Sequence, residues 1–313
     1  MINNNILKNK NIIFLNIIAF ITVAIWSSTF IFSKILLKSL SPFESMFYRF
    51  IIAYICLLII HPKFHRIHSL KEELLFLICG ITGGSLYFLG ENTAVKISLA
   101  SNVSLILATA PVLTAILAHF FTKEERLNKN LIIGFIISIS GVFLVIFNGN
   151  FVLKISPVGD ILAFASSLCW AIYCICTKKI GNKYNPIYLT RKIFFYALIT
   201  MIPLLFTSQF NFNLSTLMKA DVIINLLFLG VIASSICYVI WNYAVDKIGV
   251  VRTNNHLYFL PVLTLILSYF FLDEKLTTYS FAGAILILFG VYVSEKGFSL
   301  KLLNRYKKDN ITA

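Results

Sequence analysis

Charged side chains cut this chain into ten apolar stretches, at residues 11–33, 50–62, 74–90, 97–122, 130–153, 161–177, 193–218, 222–245, 253–272 and 276–294. A helix that crosses the hydrocarbon of a bilayer needs roughly 17–25 mostly apolar residues. Nine stretches reach that length unaided. The second, 50–62, does so only if its helix begins near Pro42 and carries Glu44 and Arg49 within it. Helices suit the pattern better than strands. A bilayer offers no water to backbone groups, so only helices and closed barrels cross it, and barrel strands alternate apolar and polar residues. Runs such as 131–139 do not alternate. The pattern predicts an all-α membrane protein of ten transmembrane helices.

Composition agrees: 58% of the residues are hydrophobic and 13% are charged, with a mean hydropathy of +0.86. Soluble domains carry about 25% charged residues. The net charge of +14 raises the question of nucleic acid, and the placement of the cations answers it. With the N-terminus set in the cytoplasm, twenty Lys and Arg fall at cytoplasmic ends of the stretches and six at outer ends, with Arg49 inside a span. This asymmetry is the positive-inside rule. It expects a multi-pass protein of a bacterial plasma membrane with both termini cytoplasmic, and no nucleic-acid partner. All six cysteines sit inside expected spans and form no C-x-x-C pair. The first apolar stretch is too long for a cleaved signal peptide, whose apolar region runs about 7–15 residues.

The chain also repeats itself. Trp26, Lys34 and Pro42 recur as Trp170, Lys178 and Pro186, shifted by 144. Asn92, Ala94, Pro111, Phe121 and Glu124 recur as Asn242, Ala244, Pro261, Phe271 and Glu274, shifted by 150, and Gly134 and Gly141 recur as Gly283 and Gly290. The units are a first repeat at 12–149, a second at 157–296 and a basic tail at 297–313. Each repeat holds five spans. Five is odd, so the second enters the membrane from the opposite side, and the expected architecture is two inverted five-helix repeats around a central cavity. Inverted repeats recur in secondary transporters, with the solute site where the repeats meet.

These residues resemble a known family. Trp26-Ser27-Ser28-Thr29-Phe30, the stretch Pro42 to Arg49, Glu91-Asn92-Thr93-Ala94, the proline-centred fourth and ninth spans, and the turns Glu125-Arg126-Leu127 and Glu274-Lys275-Leu276 look like the EamA repeats of the drug/metabolite transporter superfamily. The resemblance covers roughly residues 12–296 and rests mainly on the duplicated five-span pattern. It implies a ten-helix basket moving amino acids, nucleotide-like metabolites or other small organic solutes, in either direction.

Candidate site residues follow from charge and polarity at depth. An intramembrane charge costs about 2.5–3.5 kcal/mol or more, so it faces the interior and finds a partner. At 1.5 Å per residue, Arg49 and Glu91 sit roughly 7–11 Å below the outer boundary, close enough to pair as a structural ion pair or an outer gate. Pro111 and Pro261 occupy matching mid-span positions, where a lost backbone donor bends a helix. Asn92, Asn102, Thr109, Asn242, Asn254 and His256 supply polar groups that either line a wet cavity or bond neighbouring helices. His256 also carries an imidazole able to titrate near neutral pH and so is a candidate proton carrier. Trp26, Tyr48, Tyr87, Trp170, Tyr173, Tyr238 and Tyr258 are aromatics with a polar handle, and Trp26 and Trp170, as repeat mates, are the strongest cavity candidates. His61, His65 and His68 flank a basic loop with no clear fourth ligand, so no metal site is expected.

No nucleotide-binding G-x-x-x-x-G-K-[ST] loop occurs. No cofactor is expected, and no nucleophile–base constellation points to catalysis. The expected function is transport of small organic metabolites, amino-acid-like or related, by alternating access in export or exchange. Importing a nucleotide-like metabolite is the alternative. An intramembrane enzyme, or a channel or assembly subunit, is the alternative of another class. The partners expected are the solute and membrane lipid, with protons or a counter-solute as coupling partner left open, as is the oligomeric state.

Overall fold

The computed structural model describes residues 2–64, 69–122, 128–147, 157–207, 210, 212–272 and 278–296. The turns at 123–127 and 273–277, His65 and His68, and the tail at 297–313 lie outside them. The described residues are helical, with no strand among them. The helices are α1 (Ile2–Leu36), α2 (Pro42–Ile60), α3 (Leu70–Ile97), α4 (Ala100–Phe121), α5 (Lys129–Phe147), α6 (Pro157–Ile180), α7 (Pro186–Thr207), α8 (Ala220–Ile248), α9 (Val250–Leu272) and α10 (Thr278–Lys296). Among the described residues, eight helices are long and apolar enough to cross a membrane: α1 to α4 and α6 to α9. The apolar parts of α5 and α10, Lys129–Gly141 and Phe281–Ser294, are shorter.

Local chemistry sets the ends. α2 starts at Pro42 because Ser41 caps it. The Glu44 amide donates to Ser41 Oγ at 3.2 Å, and the Ser41 amide donates to Glu44 Oε2 at 2.7 Å. This reciprocal pair satisfies two orphan donors of the first turn, and explains a carboxylate at the start of a membrane helix. α8 and α9 meet at Gly249, whose φ of +95° favours glycine.

Four helices are irregular inside. α3 and α8 contain π-helical segments at Ile81–Ser85 and Phe228–Ile236, stations that correspond by the 150-residue shift. α4 breaks at Ala108 and Thr109, just ahead of Pro111, and α9 narrows to a 3-10 turn at Asn255–Tyr258, just ahead of Pro261. Proline removes one backbone donor and crowds the preceding turn, so each break falls where the ladder is weakest.

α1 packs on α9 as α6 packs on α4, and α2 packs on α8 as α7 packs on α3. α5 and α10 lie against each other, antiparallel. A Cβ on Gly134 would come 2.6 Å from the Gly290 carbonyl oxygen, and one on Gly141 would come 2.6 Å from that of Gly283. Small residues let two membrane helices approach this closely. Large apolar side chains, among them Ile13, Ile59, Phe120, Ile161, Phe206 and Phe281, cover the outside, as a surface solvated by lipid requires.

Candidate functional site

The chemistry gathers where α1, α3, α4, α6, α8 and α9 converge. A narrow cavity of about 40 Å³ lies there, walled by Trp26, Tyr87, Phe88, Trp170 and Tyr238, with Glu91 as its carboxylate and Thr29, Phe30, Leu107, Ala110, Leu257 and Leu260 completing it. A water needs roughly 10–15 Å³ by this measure and a small-molecule site spans about 300–1,000 Å³. The cavity therefore has room for a few waters and is too narrow for a solute of that size.

The aromatic wall is held by hydrogen bonds from behind. Trp26 Nε1 donates to the Ala233 carbonyl at 2.9 Å, and Tyr238 Oη donates to the Gly83 carbonyl at 3.0 Å. Both carbonyls belong to the π-helical segments, whose displaced register leaves backbone oxygens for side-chain donors. Trp170 Nε1 donates to Asn254 Oδ1 at 3.0 Å. The rings meet edge on: Trp26 and Trp170 have centroids 5.3 Å apart at 88°, and Trp26 and Tyr238 lie 5.6 Å apart at 66°. Such T-shaped pairs fix ring orientation beyond the area they bury.

Glu91 is 6% exposed, and its Oε2 has no hydrogen-bond partner. It interacts with Tyr87 and lies in the field of Arg49. No ion pair joins Glu91 to Arg49 among the described residues. Arg49, 2% exposed, donates instead from Nε to Ser234 Oγ at 2.6 Å, and its guanidinium sits 4.2 Å over the Phe88 ring. Because Phe88 lines the cavity, Arg49 stands one side chain behind it. The site thus combines an electron-rich aromatic wall and an under-satisfied carboxylate with the positive charge of Arg49, which sits behind Phe88, one helical turn from Glu91, and reaches that carboxylate. That arrangement suits a small solute with an ammonium end, since ring faces attract cations.

Of the residues singled out by sequence, Trp26, Tyr87, Glu91, Trp170 and Tyr238 line this cavity. Tyr173, Asn242 and Asn254 form a layer behind it: Tyr173 Oη donates to Asn242 Oδ1 at 2.5 Å, and Asn242 Nδ2 to Thr190 Oγ1 at 3.0 Å. The others are elsewhere. Asn92 donates to the Pro42 carbonyl at 3.3 Å, and Thr109 to Ile106 within the α4 break. Asn102 is half-buried near the start of α4. Tyr48 packs with Phe47 and Phe210, and Tyr258 with Phe135. His256 lines a separate groove beside α1. Phe88, Leu107, Ala110, Leu257 and Leu260 were not singled out. The repeat carries the missing signal, because Phe88 is the mate of Tyr238, Leu107 of Leu257 and Ala110 of Leu260, each shifted by 150.

A second set of charges ties α2 and α3 to the start of α7. Arg191 donates to the carbonyls of His61 and Lys63, the latter at 2.6 Å. Lys192 pairs with Glu73, which also accepts from Tyr196. Lys183 pairs with Glu72 at 3.2 Å, and Tyr184 Oη donates to Glu72 Oε2 at 3.1 Å. Burial, aided by that carboxylate, pushes the Tyr184 phenol up to about 12, so it stays a donor at physiological pH.

A family model described as the EamA-like transporter family matches residues 13–147 and again 157–295. An uncharacterized transporter of Archaeoglobus fulgidus is 29% identical over 278 residues, 88% of this chain and 94% of that one. A probable amino-acid metabolite efflux pump of Escherichia coli (strain K12) is 25% identical over 291 residues, 90% of this chain and 94% of that one. A probable terminal-alkyne amino-acid exporter of Streptantibioticus cattleyicolor is 25% identical over 272 residues, 87% of this chain and 90% of that one. A solved crystal structure superposes with a TM-score of 0.68 at 17% identity, covering 90% of this chain and 96% of that one. That last likeness is one of fold alone.

Proposed function

The chain belongs to the EamA-like transporter family, and on that premise we propose that it carries small amino-acid-like metabolites across the bacterial plasma membrane by alternating access, in export or exchange. The observation that carries this reading is the closed aromatic cavity with Glu91 at its edge. A carboxylate and ring faces recognise an ammonium group. Two relatives are named for amino-acid metabolite efflux and terminal-alkyne amino-acid export, which supports this solute class.

In the same reading α5 and α10 also cross the membrane, making ten spans, and the two repeats are inverted with both termini cytoplasmic. The contacts support the inversion. Pairs such as α1 with α9 and α6 with α4 exchange under the repeat. Trp26 touches its own mate Trp170, and the contacts Gly134 with Gly290 and Gly141 with Gly283 map onto each other. Two like units facing opposite ways can exchange conformations and open a shared site to either side in turn. The small cavity is then an occluded state that must widen to admit solute. One carboxylate in the cavity suits exchange or downhill movement better than a multi-site proton pump.

Counterflow in proteoliposomes tests the proposal. Vesicles loaded with an unlabelled amino acid should accumulate the labelled one transiently, with saturable rates. Flux that rises linearly with concentration would make the protein a channel, and no flux with any amino acid would remove the solute class.

A further inference from the structure

A larger groove opens on the side of the molecule, between residues 12–20 of α1, the start of α9 and α10. Its volume is about 500 Å³, against about 40 Å³ at the centre. Its two halves differ in chemistry. Ile13, Ile17 and Phe20 on α1 are exposed apolar side chains that line it along the membrane-facing surface, and Asn16 between them donates its Nδ2 back to the Ile12 carbonyl at 2.8 Å. The other wall is polar and comes from one turn of α9: Arg252, Asn255 and His256. Phe20 and Phe259, edge on at 5.1 Å, close its inner end.

Two observations ask for a ligand. Asn255 is only 3% exposed, yet its Oδ1 has no hydrogen-bond partner. A buried acceptor left unsatisfied costs about 1–3 kcal/mol, so it needs a donor that the protein does not supply. Arg252 is exposed at the rim, and no ion pair involves it among the described residues. The fold does not require these groups. By the 150-residue shift their mates are Asn102, Leu105 and Ile106, so the basic and buried polar stations belong to the second repeat alone.

We infer that this groove binds a phospholipid of the adjoining leaflet, one whose headgroup carries an N–H or O–H donor beside its phosphate. The phosphate meets Arg252, since guanidinium groups recognise phosphate by forked, charge-assisted hydrogen bonds. The ammonium of an ethanolamine headgroup, or a hydroxyl of a glycerol one, donates to Asn255 Oδ1. The acyl chains run along Ile13 and Ile17. A choline headgroup meets only half of this, because its quaternary nitrogen has no N–H. The inference is independent of which solute the central cavity carries.

The test is native mass spectrometry of the full chain released from nanodiscs holding equal parts of phosphatidylethanolamine, phosphatidylglycerol and phosphatidylcholine. The wild type should retain ethanolamine or glycerol lipid over choline lipid. Arg252→Gln should reduce the retained fraction roughly fivefold, as expected for one cation facing a lipid phosphate. Arg252→Lys should keep most of it, and Lys219→Gln, an exposed cation elsewhere, should change nothing. Asn255→Leu should erase the preference over choline lipid; should it fail to fold, the Arg252 pair decides alone. Equal retention of choline lipid by the wild type, or undiminished retention by Arg252→Gln, overturns the inference. Displacement of the lipid by millimolar free amino acid would make the groove a solute vestibule and overturn it too.

Discussion

Glu91→Gln separates recognition of a solute's charge from the shape of the cavity. The substitution keeps the size of the side chain and removes one charge. In the structure Glu91 is buried beside Tyr87, and its Oε2 lacks a partner, so the carboxylate has unused capacity facing the cavity it lines. An ammonium nitrogen about 4 Å from a carboxylate gains about 4 kcal/mol at an effective dielectric of 20, against about 1 kcal/mol in water. Part of that is spent on stripping water from both groups. Hydrogen bonds to charged partners are worth about 1.5–3 kcal/mol net. At 1.4 kcal/mol per decade, a loss of about 2–3 kcal/mol weakens binding roughly 30- to 150-fold.

The assay is counterflow in proteoliposomes with two solutes, an amino acid and its analogue without the amine. Glu91→Gln should raise the half-saturating concentration of the amino acid by that factor and leave the analogue within about twofold, since the surviving contacts to the analogue are unchanged. An equal loss for both solutes would assign Glu91 to the conformational cycle. An unchanged amino acid constant would refute the recognition argument outright.

The remaining predictions concern the frame. Arg49→Gln should remove the bond to Ser234 and strand Glu91 without its compensating field, and Glu91→Gln in the same protein should restore part of the lost thermal stability, measured by unfolding in detergent; additive losses would mean the two charges are uncoupled. Gly134→Ala should destabilise by about 1–3 kcal/mol through overpacking, because the new methyl meets backbone atoms of Gly290 and Ser294; an unchanged unfolding temperature would mean that α5 and α10 can separate freely. Glu73→Gln or Lys192→Gln alone should cost about 1–3 kcal/mol by leaving one half-buried charge without its ion-pair partner, and the double variant less than either, which a double-mutant cycle reads directly. Trp26→Phe should orphan the Ala233 carbonyl and cost about 1–3 kcal/mol, with a matching fall in unfolding temperature.

Much of this molecule can be read along the chain, because a bilayer forces helices and charges punctuate them. The start of α2 at Pro42 follows from the length a span needs, and the Ser41–Glu44 cap supplies the reason. The start of α7 does not follow so simply. The charge-free window opens at 193, whereas the helix begins at Pro186 and takes Arg191 and Lys192 with it. Both are compensated, one by carbonyls and the other by Glu73, so charge alone misplaces a helix end when the charge is paired. Depth is likewise only one coordinate. It sets Arg49 level with Glu91, but the direction in which each side chain leaves its helix points Arg49 at Ser234. The same limit separates Tyr87, which lines the cavity, from Tyr48, which does not. The π-helical segments leave no clear mark in composition, yet they supply the carbonyls that aim Trp26 and Tyr238.

On the proposed function, the duplication also points to where selectivity lies. Trp26 with Trp170, Phe88 with Tyr238, Leu107 with Leu257 and Ala110 with Leu260 give the cavity four pairs of repeat mates. Those pairs supply shape and aromatic surface from both repeats and carry no charge, differing only by a hydroxyl at Phe88 and Tyr238 and in bulk at Ala110 and Leu260. The other four lining residues, Thr29, Phe30, Tyr87 and Glu91, all come from the first repeat. Their counterparts, Tyr173, Cys174, Cys237 and Trp241, do not line the cavity. At the station where the first repeat presents a carboxylate, the second presents a fully buried indole. If the repeats interconvert, the symmetric pairs keep the two end states close in energy, because each exchange swaps one uncharged side chain for another. On the proposed function the unpaired group breaks that balance, since it would meet the solute's charge from one repeat only. A carrier working as proposed would get its motion from what the halves share and its choice of solute from where they differ, and Glu91 is the one charged difference in the wall.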